Sequence, residues 1–582
     1  MAKMIETDMM KQNGMTPGTT VQTTLGTYLF DCLKQEGLTD IFGIPGDYNF
    51  TLLDELERYA GLRFINGRNE LNAGYAADAY ARLKGMSALI TTFGVGEMSA
   101  CNAIAGATSE HIPIIHIVGA PPSMAQQEHK LMHHTLMDGN YDVFRKVYEP
   151  ITAYTAVLTP ENAQMEIPAA IAMAKQKRKP VYLVVATDLV MKPVTLRSVP
   201  MAPQPSTAQP ALQAAMEHTM QLLGKAQRAV LLVDVKTSRY HLQEPVRKLA
   251  EALNLPVAAT VFGKGAFDEG HKQFIGIYAG AFGSPSIRSI VENADCVIAV
   301  GLVWADSNTA NFTAKLNPAN TIEIQPDQVK IGEAEYPKVM AEDLLMALQN
   351  SGYRQQADVV PGPFPYDQAK GSPDEPLKAE AYYPRFQQML KEDDIIVAET
   401  GTFFYGLSQI RLPRGAAYIA QGGWQSIGYA TPAAFGASVA EPARRVLLFT
   451  GDGSLQLTAQ EISSMMSHGC KPIIFVLNNY GYTIEKYLNV KTEHQKYNQV
   501  PNWSYTKLAE AFGGEAFTAF VRSNAQLDEA IRQAESECRN KLCIIEMSAA
   551  DPMDAPEYMR NMRNYMEQQE KQQGMQQKQQ QS

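Results

Sequence analysis

A chain of 582 residues is too long to be organised around one hydrophobic core, and its length predicts about three or four domains. A formal net charge of −10, with no stripe of clustered Lys and Arg, excludes a nucleic-acid-binding surface. No run approaches the roughly 20 apolar residues of a membrane span and the N-terminal stretch MAKMIETDMMKQNGMTPGTT lacks an apolar signal core, so a cytoplasmic protein with no membrane partner is expected. Cys32, Cys101, Cys296, Cys470, Cys538 and Cys543 form no CxxC pair and sit mostly in apolar surroundings. That pattern predicts buried thiols rather than disulfides or zinc ligands.

After an N-terminal tail (1–22), the first segment (23–195) opens with Leu25, Tyr28, Leu29, Cys32 and Leu33 at helical spacing and Gly37 placed as the cap. A strand over 40–44 follows, then a helix over 71–82, a strand over 87–93, a helix over about 98–108 and a strand over 113–118. A Pro-rich linker (196–210, containing VPMAPQPSTAQP) leads to a middle segment (211–358) with a strand over 229–235, a helix ending at 253 and a strand over 257–261. Its Gly263-Lys264-Gly265 is only a fragment of a dinucleotide fingerprint and reads as a loop. A second linker (359–376, VVPGPFPYDQAKGSPDEP) precedes the third segment (377–566), which closes with a short helix over 555–566. The Gln-rich tail (567–582) is expected to be disordered. Helical and strand patterns alternate in all three segments, so the fold class is α/β: three domains with mainly parallel sheets flanked by helices.

The third segment carries the most informative spacing. Gly451-Asp452-Gly453 ends a predicted strand over 444–450, and after twenty-four intervening residues Asn478-Asn479 ends another over 472–477, with helical spacing over 455–466 between them. Neighbouring parallel strands would deliver Asp452 and Asn479 to one carboxyl edge, where open α/β sheets bind ligands. A carboxylate and an amide oxygen are hard ligands suited to Mg²⁺, which keeps substrate phosphate in its octahedron. The N–H groups of Gly453 and Ser454 would face that phosphate. Gly-Asp-Gly alone is usually a tight turn; the spacing and strand context make it a diphosphate site.

This combination resembles the motif of the thiamine diphosphate (ThDP)-dependent enzymes. The resemblance implies Asp452, Asn479 and the carbonyl of Gly481 as metal ligands. Glu70, within NELNAGYAADAYAR, matches the family's activating glutamate, whose carboxyl bonds the aminopyrimidine so that the thiazolium C2 is deprotonated to an ylide. Gly46-Asp47-Tyr48-Asn49, His133-His134-Thr135-Leu136 and Gly481-Tyr482-Thr483-Ile484-Glu485 are similar to motifs of the pyruvate decarboxylase family, which includes indolepyruvate and branched-chain 2-oxo acid decarboxylases. The resemblance spans 23–553. It implies a pyrimidine-binding, a middle and a diphosphate-binding domain, with non-oxidative decarboxylation of a 2-oxo acid to aldehyde and CO₂ through the ylide and an enamine. Asp47, Glu70, His133, His134 and Glu485 then form the reacting centre, since an enamine must be protonated by groups that titrate near neutrality. Cofactor contacts are implied for Glu70, Thr402, Gln425, Ile427, Gly453, Ser454, Asn479 and Tyr482. Ile427 matches the bulky residue that folds the cofactor into a V, and Gln425 stands where many relatives have glycine. Thr400, Phe404, Ile484 and Leu488 match the acyl pocket. Their sizes suit a small or medium aliphatic chain, so pyruvate is favoured with tolerance for longer or aromatic 2-oxo acids, the alternative being an indolepyruvate, phenylpyruvate or branched-chain 2-oxo acid decarboxylase. A homodimer is implied as the least active unit and a homotetramer as the usual form. The competing readings are an acetolactate synthase-like carboligase and a catalytically silent ThDP-binding regulatory protein.

Overall fold

A computed structural model describes residues 21–197, 206–356, 358–362, 364–489, 491 and 493–581; the expected N-terminal tail and most of the first linker lie outside them. The described residues pack into two compact units, one formed by the first segment up to 205 without 109–111, the other by 109–111 and 206–582.

In the first unit the Thr24 hydroxyl caps the helix Leu25–Gln35 by accepting the Thr27 N–H at 3.1 Å, and Leu25, Tyr28, Leu29, Cys32 and Leu33 are buried along one face. Helix Glu70–Lys84 begins at Asn69, whose side chain accepts the Asn72 N–H, and ends at Gly85 in the left-handed region. These helices cover a six-stranded sheet with the spatial order Arg63–Asn66, Asp40–Gly43, Ser87–Thr92, Ile114–Ala120, Val181–Ala186, Thr155–Leu158. All its pairings are parallel. The central strands Ser87–Thr92, Ile114–Ala120 and Val181–Ala186 are buried throughout, as their near-continuous apolar runs require.

The second unit holds two sheets. The middle one runs Phe274–Tyr278, Val257–Thr260, Ala229–Val233, Cys296–Val300, Thr321–Gln325, Gln328–Ile331, Ala334–Pro337, the first five parallel and the last two added as antiparallel hairpins. The other runs Ala417–Ile419, Ile395–Ala398, Val446–Gly451, Ile473–Asn478, Cys543–Ser548, Phe517–Val521, parallel throughout. Its strand order relative to chain order is the same as that of the first sheet. One apolar core reaches from Leu223 to Met562, so both sheets share it.

Two expectations need adjusting, and the loop reading of 263–265 holds with an addition. The helical spacing over 455–466 is divided into Asp452–Thr458 and Glu461–Ser467 by a turn at Ala459-Gln460, and the Thr458 hydroxyl at the end of the first piece donates to the Gly428 carbonyl at 2.7 Å. Gly263-Lys264-Gly265 is a loop, and its lysine serves packing: Lys264 Nζ meets Glu269 Oε2 at 2.7 Å with both side chains at most 1% exposed, and also donates to the Ile410 carbonyl. The tail is helical rather than disordered, since Glu557–Gln581 forms one helix. Gln, Glu, Lys and Met are good helix formers. The helix is also held by Tyr558 stacked on Tyr405 at 4.7 Å, Arg563 on Glu493, and Lys491 on Glu570 at 3.4 Å.

Burial lowers the pKa of Lys264 and raises that of Glu269, and their mutual attraction opposes both shifts. Lys264→Met should therefore cost about 3–5 kcal/mol by stranding Glu269, whereas Lys264→Met with Glu269→Leu should recover most of the loss. Thermal unfolding of both variants checks this; equal destabilisation by the single and double changes would remove the pair from the account.

Candidate active site

The first sheet reverses its strand order between Asp40–Gly43 and Ser87–Thr92, and the loops leaving these two strands carry the polar groups of the first unit. After Asp40–Gly43 the chain turns through Asp47–Asn49, pinned by buried Asn49, whose side chain accepts the Gly46 N–H and donates to the Ile44 carbonyl, both at 3.0 Å. Asp47 is thereby presented to the loop at 133–134. His133 Nε2 lies 2.5 Å from Asp47 Oδ2, and His134 Nε2 lies 3.5 Å from Asp47 Oδ1. Tyr48 stacks on His133 at 4.9 Å, and its hydroxyl reaches His133 Nδ1 at 3.2 Å. All three side chains are partly open to solvent.

The loop after Ser87–Thr92 supports this group. Gly94 has φ +62°, and a Cβ there would fall 1.8 Å from the His134 carbonyl oxygen, so only glycine lets the two backbones meet. Two residues on, a Cβ at Gly96 would lie 3.1 Å from Glu70 Oε1, which places Glu70, half-buried at the start of its helix, on the same loop. Behind it, fully buried Glu97 accepts the Gly94 N–H at 2.7 Å and the Tyr182 hydroxyl at 2.5 Å. Burial pushes the Glu97 carboxyl up to about 7, against the lowering effect of those two donors.

In the second unit the sheet of 395–548 reverses between Ile395–Ala398 and Val446–Gly451, and Ile473–Asn478 is the next strand. Asp452 and Asn479 consequently emerge side by side, 2% and 4% exposed. The Asn479 side-chain oxygen faces two other oxygens, the Gly481 carbonyl at 2.8 Å and Asp452 Oδ1 at 3.2 Å, while its amide nitrogen donates to the Thr483 hydroxyl at 2.9 Å. Rotating the amide would turn both oxygen contacts into hydrogen bonds, and protein atoms alone would favour that orientation. An Mg²⁺ with ligands at about 2.1 Å places adjacent octahedral oxygens about 3 Å apart, the spacing found here. The three residues therefore fit the metal implied by the motif, with the amide oxygen as ligand. Burial raises the Asp452 carboxyl to about 6, opposed by the N–H groups of Gly453, Gly481 and Tyr480 and by the charge of Lys486.

Around this cluster, Gly453 and Ser454 open the helix Asp452–Thr458, and the Tyr482 ring lies against Gly453, 2.4 Å from where a Cβ would stand. Gln425 has φ +54° and donates to the Gly422 carbonyl at 2.7 Å; the left-handed conformation explains why glycine suits this position. Ile427 is only half-buried, in the turn before Gly428. Thr402 begins the helix Thr402–Leu407, and Thr400 has a buried hydroxyl without a protein partner among the described residues. Ile484 approaches Gly401, its Cγ2 3.5 Å from where a Cβ would be. Phe404 is buried in the common core at 2% exposure, whereas Glu485 and Leu488 are exposed on the short helix Thr483–Leu488. The motifs gave no warning of Glu97 or Glu399, both buried carboxyls; the only signal was an acidic residue directly after an apolar strand or a glycine turn.

Comparison with known proteins accounts for the arrangement. The N-terminal TPP binding domain of the thiamine pyrophosphate enzymes matches residues 23–140, the central domain of these enzymes residues 216–343, and their C-terminal TPP binding domain residues 400–547. The chain is 38% identical to pyruvate decarboxylase of Kluyveromyces lactis over 548 residues, 92% of this chain and 97% of that protein. It is 38% identical to pyruvate decarboxylase isozyme 1 of Saccharomyces cerevisiae over 552 residues, with 92% and 97% covered. Similarity to the alpha-keto-acid decarboxylase of Mycobacterium leprae is 36% over 532 residues, 90% and 92% of the two chains. Identity of this extent, sustained across three domains in the same order, makes the chain a member of the thiamine diphosphate-dependent 2-oxo acid decarboxylases, enzymes that release CO₂ and an aldehyde.

Proposed function

We propose that the chain decarboxylates pyruvate in preference to larger 2-oxo acids, acting as a homodimer at the least and a homotetramer in its usual form, in the cytoplasm. The observation that supports the cofactor assignment is the convergence of Asp452 Oδ1 and the Gly481 carbonyl on the Asn479 side-chain amide, at 3.2 and 2.8 Å, close to the spacing of adjacent octahedral ligands. Pyruvate is supported by the relatives' names and by Ile484 lying close against Gly401, which narrows the space beside Thr400. A wider 2-oxo acid range is the second reading, favoured by the likeness to the Mycobacterium leprae protein. The oligomer rests on the family resemblance, and the cytoplasm on six unpaired cysteines.

ThDP, when bound, supplies the nucleophilic carbon and the electron sink for loss of CO₂. In this reading Asp452, Asn479 and the Gly481 carbonyl hold Mg²⁺, and Gly453, Ser454, Thr402 and Tyr482 position the diphosphate. Glu70 would bond the aminopyrimidine and supply its proton, and Gln425 and Ile427 would contact the cofactor and set its shape. Asp47, His133, His134 and Glu485 hold and deliver the proton that the product carbon takes up. Proximity of two imidazoles to one carboxylate suits that relay, because a proton can pass between a nitrogen and a carboxylate oxygen within hydrogen-bond reach. Thr400, Phe404, Ile484 and Leu488 shape the space for the substrate side chain.

Aldehyde formation from pyruvate, followed with a coupled alcohol dehydrogenase, tests the activity directly. Glu70→Gln should lower turnover by about 10²-fold or more while leaving ThDP binding intact, since an amide cannot supply the proton; turnover at the wild-type rate would refute the role. Asp452→Ala removes the charged metal ligand, and calorimetry should show ThDP and Mg²⁺ binding greatly weakened. Unchanged binding would remove the metal assignment. Ile484→Ala opens the pocket at about 0.8 kcal/mol per methylene, so the kcat/KM ratio for phenylpyruvate over pyruvate should rise by roughly tenfold. An unchanged ratio would take Ile484 out of the pocket wall.

A further inference from the structure

Glu399 follows the strand Ile395–Ala398 at the point where the sheet order reverses, and it is 1% exposed. Its backbone is fixed on both sides: its N–H donates to the Phe449 carbonyl at 2.9 Å, and its carbonyl accepts the Phe404 N–H at 3.0 Å. The carboxyl reaches in two directions. Oε1 accepts the Thr400 N–H at 3.0 Å, and Oε2 accepts the Ala430 N–H at 3.2 Å. The Gly428 N–H and the Thr450 side chain lie near enough to favour its charged form. Every one of these partners is neutral. A carboxyl buried without a cation is costly, and an apolar side chain would pack such a position more cheaply.

Gly428 is held from its other side as well. It has φ +86°, and a Cβ there would meet Leu457 Cβ at 3.0 Å and the Ser454 carbonyl oxygen at 3.4 Å, while its own carbonyl accepts the Thr458 hydroxyl at 2.7 Å. The turn carrying Ile427 is thus clamped between the Glu399 carboxyl and the helix that begins at Asp452. Thr400 and Thr402 lie on the chain immediately after the same glutamate.

We propose that Glu399 is a positioning residue that holds the Ile427 turn in register with the Thr400–Thr402 loop and the diphosphate helix. It touches no reacting atom; its effect passes through the backbone of Thr400, Gly428 and Ala430. The inference rests on the functional reading above, in which Ile427 sets the shape of the bound cofactor. Burial pushes the Glu399 carboxyl up to about 8, against the lowering effect of these four neighbours, which marks how far this group is removed from water. Glu399→Gln keeps the shape but turns one acceptor into a donor facing an N–H, so it should loosen the turn without disturbing the metal ligands.

The test uses the full-length holoenzyme and reads hydrogen–deuterium exchange at C2 of bound ThDP by quench and NMR, alongside kcat, KM and ThDP affinity. Expected for Glu399→Gln are ThDP affinity within about threefold of wild type, KM for pyruvate within about threefold, and C2 exchange and kcat slowed together by about tenfold or more. Glu399→Asp, one methylene shorter, should give an intermediate slowing, and it carries the test if Glu399→Gln does not fold. Wild-type exchange in a folded, ThDP-loaded Glu399→Gln or Glu399→Asp protein would overturn the proposal, as would a fall in activity explained by KM or by lost ThDP alone. If wild type itself neither accelerates C2 exchange nor forms aldehyde, the functional reading falls, and the role of Glu399 falls with it.

Discussion

In a buried corner the Asn479 side-chain amide lies 2.8 Å from the Gly481 carbonyl oxygen and 3.2 Å from Asp452 Oδ1, so one terminal atom of that amide meets two oxygens at once. With its nitrogen turned inward the amide donates to both oxygens, and with its oxygen turned inward the three oxygens suit a hard ion, which is the orientation the proposed metal would select. Much of the second unit serves this constraint. Val446–Gly451 and Ile473–Asn478 pair in parallel register, with Gly451 opposite Leu477, so the residues that follow both strands leave the sheet at the same height. The Gly481 carbonyl joins them because the Gly481 N–H is tied to Asp452 Oδ2 at 3.2 Å. The Asp452 carboxylate is held by a backbone N–H on each oxygen, Gly453 on Oδ1 at 2.8 Å and Gly481 on Oδ2 at 3.2 Å, which fixes its orientation toward the amide.

The first and last sheets have the same strand order, and in each the functional groups leave from the strands on either side of the reversal. Each reversal also has a buried carboxyl behind it, Glu97 in one and Glu399 in the other, both fastening backbone N–H groups of the loops that carry the site. The middle sheet treats its corresponding position differently. Asp234, at the end of Ala229–Val233, is fully buried and accepts from the Val235 and Val303 N–H groups, Thr260 and Asn308 at 2.6–2.7 Å. Its hydrogen bonds all go to its own domain, and the edge is closed by the helix Val235–Arg239. The same architectural feature therefore carries the proposed site residues at two edges and serves internal cohesion at the third.

Buried carboxyls at these edges trade stability for geometry. An apolar core fixes distances to within the slack of van der Waals packing, whereas a carboxyl that accepts two to four N–H groups fixes the direction of a loop backbone. That directional control matters most for Gly94 and Gly428, whose left-handed conformations lie next to His134 and Ile427.

How much of this was readable from the chain depends on the range over which each feature is set. Apolar periodicity located the strands 40–43, 87–92, 114–120, 446–451 and 473–478 to within a few residues, because burial on a sheet acts on consecutive side chains. The Asp452 and Asn479 pairing was legible for the same reason: two short strands, each ending in a polar ligand, need only lie side by side. The Gln-rich tail was misjudged, since composition reports the absence of a core but not the helix propensity of Gln, Glu and Lys or the anchoring of Tyr558 and Arg563. The sequence by itself determined the α/β class, the cofactor motif and the identity of the polar groups, all of which depend on local spacing. Only the tertiary structure decided that His133 and His134 meet Asp47 across more than eighty residues, that Lys264 is a buried partner of Glu269, and that Glu399 ties the Thr400 segment to Ala430. Those contacts depend on the order of strands in a sheet, which is settled by the packing of the whole core and leaves no mark on any single stretch of chain.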